Sequence, residues 1–270
     1  MKYTKKISFI GIFLLAVACA VNPFTGKKTL ALVPNSQIFP MAFQQYNQVL
    51  EESNVVRGTD AAQMVKDVGS DIAHAAEIYL NAHGYEEYLE NYRWEYTLIQ
   101  SDEINAWCMP GGKIAVYTGI LPIAENKAGL AAILGHEVAH ALANHGQQRM
   151  SAAELQQLGA IGLSAATANS ENQQIFATAY GLGTQLGVML PFSRSNETEA
   201  DKIGLTLMAI AGYDPQAAVD LWYRMANAGG AQPPEFLSTH PSYDTRINNL
   251  QKWVDDAKAE ARKLGVTSFK

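Results

Sequence analysis

Cysteine is almost absent. The 270 residues contain two, Cys19 and Cys108, which excludes a disulfide-stapled scaffold and leaves a single conceivable pairing between them. The other reading of Cys108 is a buried thiol behaving as a small apolar residue. Positive charge is scarce too: 20 Lys and Arg against 26 Asp and Glu give a net charge of −6. That leaves no broad basic surface to neutralise phosphates, so no nucleic acid is expected as a partner. Internal repeats and low-complexity tracts are missing, which excludes solenoids. Hydrophobic residues nevertheless make up 48% of the chain, enough for one sizeable core or two small ones.

The first residues differ from the rest. Lys2, Lys5 and Lys6 precede an uncharged apolar run at 7–18, the pattern of a signal peptide. At about twelve residues the run is shorter than the roughly twenty that a membrane span needs. It ends Leu15-Ala16-Val17-Ala18-Cys19, similar to a bacterial lipobox, where cleavage would leave Cys19 to be acylated. Ala16 stands where a lipobox usually has Leu, and Ala16-Val17-Ala18 also satisfies ordinary small-x-small cleavage, which would release a soluble protein. Residues 20–34 have no helical period and read as a tether or arm.

Apolar residues recurring at three and four predict helices over about 36–53 and 60–82, with Ser36 a possible cap for the first. Aromatic and β-branched residues at 92–100, 104–109 and 113–117, with Pro110-Gly111-Gly112 between the last two, predict a small sheet. After Thr118 the chain reads as helix and turn, apart from an irregular stretch at 228–241. The expected class is therefore mainly α with a small β-sheet (α+β). Between 151 and 190 only Glu154 and Glu171 are charged. This segment reads either as a buried helical hairpin or as a face held near a membrane, and its scattered Gln and Asn argue against spanning.

The chemistry is concentrated in His136-Glu137-Val138-Ala139-His140, an H-E-x-x-H motif inside a helical run predicted over 126–150. Four residues is one helical turn, so both imidazoles face one point, with Glu137 beside it. Zinc held there would bring a bound water's pKa from about 16 to about 7, and Glu137 would take the proton and pass it to the leaving amine. A catalytic zinc site has three protein ligands. The metzincin pattern fails, since Ala143 and Gly146 occupy its Gly and His positions. His145 lies about half a turn from the pair's face and reads as structural. The remaining candidate is Ser193-Arg194-Ser195-Asn196-Glu197-Thr198-Glu199-Ala200-Asp201. If Glu197 is a ligand, Asp201 sits one turn on and can accept the outward N–H of a ligand histidine, His136 foremost. Taken alone, these acids would be an exposed helix N-terminus.

Together these motifs resemble the gluzincin metallopeptidases of the HtpX-like and CAAX-prenyl-protease-like family, in particular their exported bacterial lipoprotein branch. The resemblance takes in Asn22-Pro23-Phe24-Thr25-Gly26-Lys27-Lys28, the stretch from Asn105 through Trp107, Met109 and Gly111-Gly112 to Ile114, and the H-E-x-x-H motif. It continues through Ser193-Arg194, Glu197 and Asp201 to His240-Pro241 and Arg246. It implies a zincin-type fold, one Zn2+ per chain with Glu197 as third ligand, and hydrolysis of peptide bonds in misfolded or misassembled envelope proteins. His240 is implied to face the metal, either steadying an oxyanion or blocking the open position. Without the resemblance it is a His-Pro in a loop. Trp107, Met109, Gly111 and Gly112 are candidates for holding an extended substrate at a sheet edge, with core packing the alternative for Trp107 and Met109. The expected organisation is a signal peptide at 1–18, a lipidated arm at 19–35 and the peptidase domain at 36–270. The expected place is the periplasmic face of a bacterial membrane, the outer one by preference, or the soluble periplasm. The competing function is a latched, non-proteolytic assembly or chaperone-like factor. An exopeptidase would need a pocket for a free terminus, which no residue here supplies.

Overall fold

The fold is that of a computed structural model, which describes residues 19–228, 240 and 244–270. The expected signal peptide and nearly all of the irregular stretch at 228–241 lie outside the described residues. The chain forms two compact units. One comprises residues up to Ile38 together with Asn144–Ser195, and the other comprises Phe39–Ala143 with Asn196–Lys270.

The larger unit is helical around one small sheet, the α+β class expected. It takes in most of α1 (Asn35–Glu52), then β3 (Val55–Val56), α2 (Asp60–Ala82), β4 (Glu95–Ile99), β5 (Ala106–Met109), β6 (Lys113–Tyr117), the short α3 (Leu121–Ala124) and α4 (Lys127–Leu142). The C-terminal part of α7 (Leu190–Ile210), α8 (Gln216–Ala228) and α9 (Asp244–Lys263) complete it. Strand order is β3-β4-β6-β5, with β4 parallel to β6 and the other pairs antiparallel, so β5 is an edge. Glu95 and Lys113 are register partners and also pair through their side chains at 2.9 Å.

Helix α2 begins at Thr59, whose side chain accepts from the Ala62 N–H at 3.2 Å, the usual N-cap device. It buries Val65, Val68, Ile72, Ala76 and Leu80, the three-and-four spacing of one helix face, against α4 and β4. Helix α4 is capped by Asn126 accepting from Gly129 N at 3.0 Å. Every residue from Gly129 to Leu142 is buried, so this is the central helix and not a surface one.

Two glycines set its position against α7. A Cβ on Gly135 would lie 2.9 Å from the Gly204 carbonyl oxygen, and one on Gly204 would lie 2.9 Å from the Gly135 backbone. The two helices therefore cross backbone to backbone, and no residue larger than Gly fits at the crossing without moving a main chain. The far end of α4 is held by tyrosines: Tyr88 Oη donates to the Leu142 carbonyl at 2.6 Å and Tyr92 Oη to Ala141 at 3.3 Å. The helix expected to continue to 150 stops here, because Asn144 adopts a left-handed conformation (φ 55°) that ends a helix. Burial of His145 is nearly complete, and it opens the next helix.

The smaller unit holds the β1 (Cys19–Val21) and β2 (Lys28–Leu30) hairpin, then α5 (His145–Ala166), α6 (Gln173–Thr184), a π-helical turn at Gln185–Met189 and the start of α7. The buried-hairpin reading of 151–190 does not hold. Beyond Ser151, no residue of α5 is buried, and none of α6 is.

Candidate metal centre

The Gly135–Gly204 crossing brings the first turn of the H-E-x-x-H motif beside residues one and two turns earlier on α7. His136, His140, Glu197 and His240 each offer one donor atom, and all four atoms lie within 4.8 Å of one another. His136 Nε2 is 3.1 Å from His140 Nε2, and Glu197 Oε2 and Oε1 stand 3.3 Å from these two nitrogens respectively. His240 Nδ1 is 2.9 Å from Glu197 Oε2 and 3.1 Å from His136 Nε2. The side chains of His136, Glu137, Glu197 and Asp201 are each below 10% exposed.

These separations suit a tetrahedral cation. Bonds of about 2.0–2.1 Å set ligand atoms about 3.3 Å apart, close to the spacing observed. Imidazole nitrogens 3.1 Å apart beside a carboxylate need a positive charge between them, which a proton or Zn2+ can supply. The donor set of three imidazoles and one carboxylate is also the chemistry zinc prefers.

The surroundings tune each donor. Asp201 Oδ1 lies 2.9 Å from His136 Nδ1, which fixes the tautomer and leaves Nε2 facing the centre. Burial and the Arg246 charge oppose protonation of His136, but hydrogen bonds with Asp201 and Glu197 outweigh them and raise it to about 9. Metal therefore competes with a proton there. For His140, burial dominates; partly offset by Glu197 and reinforced by the His136 charge, it holds the ring well below the usual imidazole range. Burial alone would raise Glu197, yet hydrogen bonds from His136, His140 and His240 hold it far below the carboxylate range.

Glu137 differs from Glu197. Burial raises its carboxyl, with Glu197 adding to the effect against His240, His136 and Arg246. Its Oε1 makes no hydrogen bond among the described residues and lies 3.4 Å from His240 Nε2. A buried acceptor without a donor is costly in a merely structural role and is suited to receiving a proton.

Arg246 was legible as part of a motif but not for its place. Its guanidinium is packed 3.6 Å above the Trp222 ring on one side and bonds Asp201 Oδ1 at 2.6 Å. Nη2 also lies 3.2 Å from His136 Nδ1, and Nη1 lies 3.4 Å from the His240 carbonyl oxygen. Trp222 escaped sequence reasoning altogether; the buried face of α8, at Ala218, Val219, Leu221, Trp222 and Met225, marks it as core but not as a platform for Arg246.

The substrate-holding candidates lie on β5 and its turn into β6. Gly111 (φ +83°) and Gly112 (φ +90°) form the β5–β6 turn, where a Cβ would meet the Phe43 ring at 2.6 Å and the Trp94 ring at 2.7 Å. Their glycine identity is accounted for by backbone conformation and packing. Trp107 is half-buried and meets the Tyr46 ring edge-on at 5.9 Å, and Met109 pairs with Lys113 across the strands. Strand β5 itself runs along α4. Burial pushes the Cys108 thiol up, and Glu137 adds to it, so this edge passes within electrostatic reach of Glu137. Cys19 opens β1.

A buried H-E-x-x-H helix crossed by a second helix that supplies a glutamate donor is the arrangement of the gluzincin class of metallopeptidases. Comparison with known proteins agrees and narrows it. The model of peptidase family M48 matches residues 63–254, and the chain belongs to that family. The mitochondrial metalloendopeptidase OMA1 of Schizosaccharomyces pombe is 39% identical over 176 residues, 64% of this chain and 50% of that protein. Human metalloendopeptidase OMA1 is 30% identical over 248 residues, 88% of this chain and 46% of the relative. The β-barrel assembly-enhancing protease of Escherichia coli is 31% identical over 192 residues, 64% and 39% respectively. The chain thus spans half or less of the length of these relatives.

Proposed function

We propose that this chain is a zinc-dependent metalloendopeptidase of the exported, HtpX-like branch, with His136, His140 and Glu197 as ligands and Glu137 as general base. The observation that carries the reading is the convergence of those three donors in the buried interior of the larger unit, next to a carboxylate whose Oε1 makes no hydrogen bond among the described residues and lies 3.4 Å from His240 Nε2. A bound zinc ion supplies a Lewis acid and an activated water. Glu137, raised by burial, is a stronger base than an exposed carboxylate; it accepts a proton in the site and delivers it to the departing amine nitrogen. Asp201 and Arg246 hold the His136 ring in register, and Trp222 holds Arg246. An extended peptide added at the β5 edge would be bound through its main chain, with little demand on sequence.

The proposed substrates are unfolded or misassembled envelope proteins. Support comes from the export-like N-terminus and from the Escherichia coli relative, a β-barrel assembly-enhancing protease. Acylation at Cys19 on the periplasmic side of a membrane, by preference the outer one, is part of the same proposal, with a soluble periplasmic form as its alternative.

A second reading has one observation in its favour. His240 Nδ1 sits among the ligand atoms, 2.9 Å from Glu197 Oε2, where it would fill the position a catalytic site keeps open. That is a latched site, and its biological role would be binding or assembly, without proteolysis.

The test is zinc content and casein cleavage of the purified chain beside Glu137→Gln, Glu197→Ala and His240→Ala, each checked for folding by circular dichroism. About one zinc per chain is expected. Glu137→Gln should keep the metal and lose cleavage by about 10²- to 10⁴-fold, and Glu197→Ala should lose the metal. Stoichiometric zinc with cleavage appearing only in His240→Ala would establish the latched reading. A folded parent without zinc would overturn both.

A further inference from the structure

We propose that the α5–α6 hairpin is a membrane-docking surface whose occupant is the apolar region of a lipid bilayer. The first observation is that the hairpin is inside out for a structure in water. Its seam is polar: Gln156 Nε2 donates to Thr184 Oγ1 at 2.7 Å, Tyr180 Oη to the Gln156 carbonyl at 3.1 Å, and Gln173 Nε2 to the Ser164 carbonyl at 3.3 Å. Its outer surface is apolar, with Leu158, Ile161, Ile175, Leu182 and Val188 each more than half exposed. The buried residues at the base of α5 are His145, Gln147, Gln148 and Ser151, all polar, and α6 has none. Helices in water are held by burying an apolar stripe; helices in lipid are held by polar contacts between them, with apolar residues facing the solvent. This hairpin follows the second pattern.

The second observation is charge. Residues 155–170 and 172–193 carry none, and Glu171 alone separates them at the turn. The charges that border these stretches are Glu154 on α5, Glu171 at the turn and Arg194 on α7, so the apolar face on either side of the turn runs uninterrupted by charge. The first of these stretches is shorter than the roughly twenty residues a span requires, so α5 does not cross. The second runs into Gln173–Ile210, which is long and apolar enough to do so, but Gln173, Gln174 and Gln185 interrupt it, and the pair is placed in the interface. Lacking Lys and Arg there, it relies on apolar contact and not on anionic headgroups.

The third observation is where the rest of the chain meets the hairpin. The membrane-directed run at 7–18 leads straight into β1, which pairs with β2 from Cys19↔Leu30 onward. Just after β2, Leu32 N donates to Ser151 Oγ at 3.0 Å and Gln147 Nε2 donates to the Val33 carbonyl at 2.7 Å. The arm that emerges from the N-terminal apolar segment is thus fastened to the base of α5. Both belong to one compact unit, so an anchor at Cys19 and the apolar hairpin would reach the same bilayer.

The experiment uses the full chain carrying Ile161→Cys, labelled with a polarity-sensitive fluorophore, beside the labelled parent as background for Cys19 and Cys108 and Lys252→Cys as a position on α9. Phosphatidylcholine vesicles should blue-shift the Ile161 label and expose it to quenchers placed in the acyl region, unchanged by 0.5 M salt at about the level where Coulomb attraction is screened, with no shift at Lys252. Adding Leu158→Asp and Ile175→Asp should weaken that response at least about tenfold while zinc content stays the same. An anchor alone would tether the chain without placing Ile161 among acyl chains, and that result would overturn the proposal. So would a response confined to anionic vesicles and abolished by salt. A shift that appears without vesicles and grows with protein concentration would assign the face to a second copy of the chain instead.

Discussion

Helix α4 and the α5–α6 pair draw on nearly the same residues, Ala, Gly, Leu and Ile, and their environments are opposite. In α4 every position from Gly129 to Leu142 is buried; in α5 and α6 no apolar side chain is. In α4 small residues let another backbone approach, and the apolar surface is removed from water by α2, β5 and α8. In the hairpin the small residues sit by a polar seam, as at Gly159, where a side chain would run into the Tyr180 hydroxyl. Composition sets how apolar a segment is; the placement of its few polar groups, inward or outward, decides which solvent it is built for.

The largest expected effect is at the helix crossing. Gly135→Leu must push its side chain into the Gly204 main chain, and overpacking against backbone should cost about 3 kcal/mol or more; thermal unfolding and zinc stoichiometry, both falling together, check it. A paired truncation comes next. Leu134, fully buried, replaced by Ala should cost about 2–5 kcal/mol, whereas Ile161→Ala, at a site 58% exposed, should stay within about 0.5 kcal/mol. Urea unfolding of the two variants without lipid measures the contrast. Equal losses would break the comparison by showing that the hairpin face is covered in solution.

Asp201→Asn is a gentler test. It keeps the shape but weakens the bond that orients His136, and zinc affinity should drop about ten- to a hundredfold, read by competition with a chelator. Gln156→Leu in the hairpin seam should leave that affinity unchanged. The smallest effect is at Tyr46, whose hydroxyl meets Thr97 Oγ1 at 2.6 Å. Burial, with Glu95 and Cys108 adding to it against the Thr97 bond, pushes its phenol up to about 12. The folded state keeps that proton longer than the unfolded chain does, so the stability it supplies is complete below about pH 10 and lost as pH rises through 12. Tyr46→Phe should cost about 1 kcal/mol at neutral pH and flatten the alkaline decline of stability.

The α+β class, the strands β4, β5 and β6 and the helices at 36–53 and 60–82 were legible because each rests on local periodicity, whereas β1, β2 and β3, at two or three residues each, are too short to show an alternation. The H-E-x-x-H pair was legible because four residues on a helix have a fixed geometry. What escaped the sequence depends on contacts between distant segments. Gly135 and Gly204 look like any helical glycines until their helices cross. Trp222 and Arg246 are far apart in sequence and come together only in space. The stop at Asn144 required a left-handed residue within an otherwise continuous helical pattern. For 151–190 the sequence allowed a buried hairpin or a face near a membrane, and the exposure of Leu158, Ile161, Ile175 and Leu182 excludes the first.

The chain leaves the larger unit at Ala143 and re-enters it at Asn196, so the histidine and glutamate halves of the metal centre are joined through the crossing and not through the intervening segment. The part of that segment ahead of α7, residues 145–189, supplies no donor atom to the centre among the described residues, so a change in its length is expected to leave zinc affinity where it is, which chelator competition would measure.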